Sequence, residues 1–198
     1  MKKSEQTRNY IVGQTADIFN KKGYAGTSLS DITTATGLTK GSIYGNFADK
    51  EEVAVAVFEY NAYFLHQLLL QYFNKSYRSW KDRLHGLTDL YRDHWLTLCK
   101  KGGCPLINAA IDADDTFPAL KESTVKAFET WTKEIARIID GGKKKQEFQP
   151  HISSKEYARL FIMLIEGGIL LSKTLGQATH LQIALNRIDK IIEEEIVA

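Results

Sequence analysis

Apolar positions recur at three- and four-residue spacing along most of the chain, and period-2 alternation is absent. This pattern predicts an all-α protein of about nine helices. Ile11, Thr15, Ile18 and Phe19 share one face of a first helix running from about Ser4 to Lys22. Lys21 and Lys22 suit the negative end of its dipole, and Gly23 suits a left-handed stop. Ser28-x-x-Asp31 resembles a capping box for a second helix that begins at Thr27 or Ser28 and ends at Gly37. Thr39 is the N-cap of a short third helix ending near Phe47. Asp49-x-x-Glu52 caps a long fourth helix that reaches about Asn74. Ser79-x-x-Asp82 opens a fifth, which ends at Gly102-Gly103. Pro105 fits the first turn of a sixth, and Thr116 and Pro118 mark the start of a seventh. Gly141-Gly142 are expected to stop that helix, leaving Lys143, Lys144 and Lys145 in a solvated loop. Ser153-x-x-Glu156 caps an eighth helix ending at Gly176, and Thr179-x-x-Gln182 caps a ninth.

Two short helices joined by a Gly-containing turn form a helix-turn-helix, here Thr27 to Phe47. Ile32 and Ala35 are expected to face inward, Gly37 to take the positive φ of the turn, and Leu38 to plug the gap between the helices. Ile43 and Phe47 are four apart and share the buried face of the third helix. Lys40, Gly41, Ser42, Tyr44, Gly45 and Asn46 are left to the open face or its edges. Their chemistry suits a DNA groove. Lys40 can meet phosphate or guanine, and Ser42, Tyr44 and Asn46 can bond phosphate, sugar or base edges. Gly41 places no side chain between helix and duplex. Thr27 and Ser28 open the second helix, where a hydroxyl and an amide can meet a phosphate. A three-helix cap on an ordinary all-α protein has the same periodicity.

The run Gly23-Tyr24, Thr27-Ser28-Leu29-Ser30-Asp31-Ile32, Thr36 to Phe47 and Lys50-Glu51 resembles the N-terminal domain of TetR-family regulators over about 45 residues. The resemblance implies a homodimer whose third helices enter the major groove of a palindromic operator, and a repressor released by a small effector. Thr27, Lys40, Gly41, Ser42, Tyr44 and Lys50 then correspond to the family's DNA contacts. Asn46 stands where a histidine is frequent, and Gly45 where a larger residue is frequent. The domains implied are residues 1–49 for DNA binding and 50–198 for ligand binding and dimerisation. The dimer interface would be a four-helix bundle made from helices near 154–175 and 180–195. The eighth helix is apolar over too wide an arc for one buried face, and Gly167-Gly168 would allow close helix contact or shape a bend.

Aromatic residues crowd the middle of the chain. Tyr63, Trp95, Phe128 and Trp131 read either as core or as the lining of an apolar effector pocket, with Asn108, Asp112 and Glu166 as candidate polar anchors. Cys104 precedes the sixth helix beside Lys100 and Lys101. It reads either as an electrophile-sensing thiolate, as in some TetR-family relatives, or as a small core residue. Cys99 reads as core.

Charge adds little. Seven basic against four acidic residues give the first fifty positions a net +3, leaving −1 for the rest of a chain whose total is +2. The two cysteines and five scattered histidines fit no metal spacing, and Asp112, Asp114 and Asp115 read as a solvated turn. No phosphate loop, nucleophile elbow or dinucleotide fingerprint occurs, so no enzyme activity and no cofactor are expected. The start is polar and no apolar run reaches the roughly 18 residues of a membrane span, which implies a soluble cytoplasmic protein. A transcription activator and a helical small-molecule carrier without specific DNA binding are the competing readings.

Overall fold

Most of the expected caps form, and they set the ends of the helices in a computed structural model that describes residues 3–75, 79–113 and 115–198. The helices are α1 (Lys3–Lys22), α2 (Leu29–Thr36), α3 (Lys40–Tyr44), α4 (Lys50–Phe73), α5 (Trp80–Lys100), α6 (Pro105–Ala113), α7 (Pro118–Lys144), α8 (Ser154–Leu175) and α9 (Thr179–Ile191). α9 runs on into one π-helical turn, Ile192–Ile196. Among the described residues there is no strand, only an isolated antiparallel bridge between Phe148 and Val197. Ser28 and Asp31 complete a reciprocal capping box, and Thr39 accepts from the Ser42 amide at 3.2 Å. Ser153 accepts from the Glu156 amide, and Gly37 and Gly176 end α2 and α8 at φ 68° and 69°. Pro105 and Pro118 each stand first in their helices, where a missing N–H leaves nothing unpaired.

Two expected ends are corrected. α7 does not stop at Gly141-Gly142 but continues to Lys144, so Lys143 and Lys144 lie in its last turn and not in a loop. The glycines are there for contact. A Cβ at Gly141 would come within 2.1 Å of the Trp80 ring, and one at Gly142 within 2.1 Å of the Phe148 ring. The chain leaves the helix at Gln146, a non-glycine residue at φ 62°. Nor does Thr179 cap α9. Thr179 is its first residue, and the Leu181 amide donates instead to Ser172 Oγ on α8, at 2.8 Å.

The chain groups into two compact units: Met1–Phe64 with Lys101–Ala127, and Leu65–Lys100 with Phe128–Ala198. This grouping differs from a division at residue 50, because α6 packs on α1. α4 contributes to both units. It buries Val53, Ala54, Val57 and Phe58 in the first and Leu69 and Phe73 in the second. It is also the one helix among the described residues long and apolar enough, by length and composition, to cross a membrane. The expectation from unbroken apolar runs stands, since Glu59 and Asn61 interrupt this helix, and buried positions such as Val53, Val57, Leu69 and Phe73 give its apolar residues a place in the protein's own core.

In the second unit, α8 and α9 form the largest contact, with Gly168 against the Leu181 Cα. A charged clamp ties α5 to α9 and the π-turn. His85 Nδ1 lies 2.9 Å from Asp189 Oδ1, and its Nε2 lies 3.0 Å from Glu193 Oε1. Thr88 and Arg92 also donate to Asp189, and Lys81 pairs with Glu193 at 3.0 Å. The hydrogen bond to Asp189 raises the His85 pKa against the opposing effect of burial, and Glu193 raises it further. Burial pushes Asp189 upward, but His85, Arg92 and Thr88 outweigh it and hold the carboxyl low. Lys81 and His85 hold Glu193 low.

The imidazolium's contribution to stability is therefore fully present below the ordinary histidine range and is lost as pH rises through the raised value. The carboxylates' contribution is present above the ordinary carboxylate range and is lost as pH falls through their lowered values. Thermal melting of wild type and His85→Gln should show the wider gap below the ordinary histidine range, narrowing as pH rises through the raised value. A gap that does not change with pH would mean that the ring acts by packing alone.

Candidate nucleic-acid interface

In the first unit, α1 buries Ile11, Thr15 and Phe19, α2 buries Ile32 and Thr36, and α3 buries Ile43, with Phe47 just beyond it. Thr36 takes the fully inward place expected of Ala35, which is half-buried. Its hydroxyl donates to the Ile32 carbonyl at 2.8 Å and accepts from the Leu38 amide at 3.2 Å, so it pins the turn from within. Tyr10 donates its hydroxyl to the Thr36 carbonyl at 3.0 Å. Arg8 holds the other end of the motif. Its guanidinium lies 4.0 Å from the Phe47 ring centroid, donates to the Asn46 carbonyl at 2.6 Å and pairs with Glu52 at 2.7 Å. Sequence reasoning misses Arg8, since one arginine in a polar first turn carries no periodic signal. The Lys22 hydrogen bond, with those from Ser28, lowers the Asp31 pKa to about 2, so the capping box stays ionised.

This scaffold leaves α3 exposed along one side. Lys40, Gly41 and Tyr44 are exposed and Ser42 is half-buried. The Lys40 Nζ stands 5.8 Å from the Tyr44 ring centroid. A Cβ at Gly41 would meet nothing closer than Thr39 Oγ1 at 4.0 Å, so nothing inside the protein demands a glycine there. Ser28 is exposed at the start of α2, although its hydroxyl already donates to Asp31. Asn46 is half-buried and spends its amide on the Ser42 carbonyl at 2.8 Å, and Lys50 reaches the Ala25 carbonyl at 3.0 Å. Thr27 is a correction. It is fully buried, and both its amide and its hydroxyl donate to the Gly23 carbonyl, so neither is free for a phosphate.

Hydrogen bonds also bind α6 to this motif. Asn108 Nδ2 donates to the Asn20 carbonyl, to Asn20 Oδ1 and to the Gly102 carbonyl, and Asn20 Nδ2 donates to the Lys101 and Gly103 carbonyls. Asp112 accepts from the Tyr24 amide at 2.5 Å. Asn108 and Asp112 thus serve the packing of α6 on α1. Asp112 is no part of a solvated turn, and Asp114 lies outside the described residues.

The other candidate ligand residues separate between the units. Cys104 and Tyr63 belong to the first, and Trp95, Phe128, Trp131 and Glu166 to the second. Tyr63 is 58% exposed and packs edge-on against Phe64, which corrects its reading as core or pocket lining. Cys104 is fully buried, in keeping with its reading as a small core residue rather than an accessible thiolate, while Cys99, expected in the core, is only half-buried. Trp95 and Phe128 are half-buried. Trp131 and Glu166 are buried, and the Trp131 Nε1 has no acceptor among the described residues.

Residues 11–57 match the family model for bacterial regulatory proteins of the tetR family, and residues 81–188 match the tetracyclin repressor-like C-terminal domain. The chain belongs to the TetR family of transcriptional regulators. A TetR-family regulator from Cytophaga hutchinsonii superposes with a TM-score of 0.94 at 38% identity, covering 100% of this chain and 98% of that one. A TetR regulator from Chloroflexus aurantiacus superposes at 0.90 with 33% identity over the whole of both chains. The HTH-type transcriptional repressor DhaR of Mycobacterium sp. (strain GP1) is 22% identical over 173 residues, covering 84% of this chain and 82% of its own.

Proposed function

We propose that this TetR-family regulator is a repressor that binds a palindromic operator as a homodimer and is released by a small apolar or aromatic effector in the cytoplasm. The observation that carries the DNA reading is the exposed side of α3, where Lys40, Ser42 and Tyr44 flank a glycine that packing does not require. Ser28, Asn46 and Lys50 complete the set of contacts, the last two after exchanging internal hydrogen bonds for DNA. The relative DhaR is named a repressor. The named relatives are transcriptional regulators, which supports a non-enzymatic role.

Dimerisation is supported by apolar side chains left in the open on α8 and α9. Met163, Leu171, Leu175 and Ile183 are 47–65% exposed. The glycine pair divides its work: Gly168 faces α9 of its own chain, whereas a Cβ at Gly167 would meet nothing within 4 Å. Gly167 is thus the one that can admit a second copy. Effector binding is supported by Trp131, a buried ring beside Tyr91 at 6.5 Å whose N–H awaits an acceptor. Cys104, fully buried, acts in packing.

The test is a gel shift on the promoter fragment of the regulator's own gene, with and without its inverted repeat. Wild type should prefer the repeat by about 1,000-fold or more, and Tyr44→Ala should lose about tenfold or more of that affinity. Equal affinity for random DNA would refute sequence-specific repression. An unchanged Tyr44→Ala would refute the contact.

A further inference from the structure

Trp80, the first residue of α5, presents a half-exposed ring against α7. Its amide donates to Glu147 Oε2 at 2.6 Å, and its indole lies on the α7 backbone at Gly141, where a Cβ would stand 2.1 Å from Cζ3. This ring lines a cleft of about 510 Å³ in the second unit, and most of the charged side chains around it are cationic. Lys133, Arg137, Lys144 and Lys145 line it against one carboxylate, Asp140, whose Oδ1 already accepts from Ser154 Oγ at 2.5 Å. The Arg83 guanidinium lies 4.9 Å from the Trp80 ring centroid.

The helix dipole accounts for Lys144 and Lys145, which sit at the negative end of α7. It does not account for Lys133 and Arg137, two to three turns upstream. Those two are like charges at i and i+4, an arrangement that disfavours a helix by a few tenths of a kcal/mol. Glu134 offsets Arg137, at 2.9 Å, and the pair's other cation stays exposed. A half-exposed flat ring that shares a cleft with several cations fits a ligand that is itself flat and anionic. The volume falls in the range of small-molecule sites, roughly 300–1,000 Å³. A nucleic-acid strand would need a groove with successive stacking platforms, whereas here the cleft holds a single ring.

We infer that this cleft binds a small planar aromatic molecule carrying two or more negative charges, of which a nucleoside triphosphate is representative. The aromatic part stacks on Trp80, and the anionic part sits among Lys133, Arg137 and Lys144. No residue of the helix-turn-helix takes part, so the site stands or falls apart from the DNA reading.

The test is calorimetric titration of the full-length protein with ATP, adenosine and inorganic tripolyphosphate, without divalent cations. ATP is expected to bind with a Kd of about 100 μM or tighter, and each of the other two at least about tenfold more weakly. Lys133→Glu/Lys144→Glu, two exposed positions, should weaken ATP by about tenfold or more with melting and operator binding unchanged. Trp80→Leu should also weaken ATP by about tenfold or more, with operator binding unchanged, and remove the preference for ATP over tripolyphosphate. No heat from ATP up to about 1 mM, or an ATP affinity untouched by the charge reversals, would overturn the site. Equal binding of ATP and tripolyphosphate would overturn its aromatic half. A single-stranded oligonucleotide that binds at least about tenfold tighter than ATP, and is lost in the same variants, would overturn the small-molecule assignment.

Discussion

Gly41→Glu is expected to abolish operator binding while leaving α3 as stable as before or slightly more so. The two effects separate because they have different causes. Gly41 lies in the first turn of α3 with helical backbone, and a Cβ added there would have no neighbour closer than 4.0 Å. Replacing glycine by glutamate in a helix is favourable by roughly 0.5–1 kcal/mol, and an acidic group in a first turn gains a few tenths more from the helix dipole. The same carboxylate would stand between Lys40 and Ser42, against the phosphates and base edges that these side chains are proposed to meet. There it adds both bulk and like-charge repulsion. A loss of about 100-fold or more is expected in the gel shift, equivalent to about 2.7 kcal/mol or more. Thermal melting should hold or rise. Retained operator affinity would show that α3 does not approach the groove on this side. A lowered melting temperature would show that the glycine is structural after all.

The helix ends that are legible in the sequence are those whose signal and partner lie within one turn of each other. Ser28 with Asp31, Thr39 with Ser42 and Ser153 with Glu156 each place donor and acceptor three residues apart, so local chemistry decides them. The open face of α3 is legible for a related reason: Ile43 and Phe47 turn inward, which leaves Lys40, Gly41 and Tyr44 exposed. Features set by distant partners are not legible. The α9 amide end is capped by Ser172, from another helix, and Thr27 is buried because the loop after α1 folds its hydroxyl onto Gly23. Arg8 reaches Asn46 across 38 residues.

Gly141-Gly142 is the clearest case of a local rule overridden by packing, and it yields the second large prediction. If these glycines merely loosened α7, alanine at either position would stabilise the helix by roughly 1 kcal/mol. The contacts predict the opposite sign. A Cβ at Gly142 would stand 2.1, 2.3 and 2.7 Å from Cδ2, Cε2 and Cγ of Phe148. Phe148 is 1% exposed and has little room to retreat. It bridges to Val197, while Gln149 donates to the Ile196 carbonyl and Ala198 to the Glu147 carbonyl, so displacing the ring strips the C-terminal segment from its seat. Gly142→Ala should therefore destabilise the second unit by about 3 kcal/mol, at the upper end of overpacking losses, which lowers its melting temperature by roughly 6–12 °C. Gly141→Ala meets Trp80, a half-exposed ring that can swing toward solvent, so its loss should be smaller, about 1–2 kcal/mol. Phe148→Leu in the Gly142→Ala background should recover part of the loss by giving the new methyl group space. Stabilisation by either alanine, or equal losses at the two positions, would mean that ring contact does not govern this turn of α7.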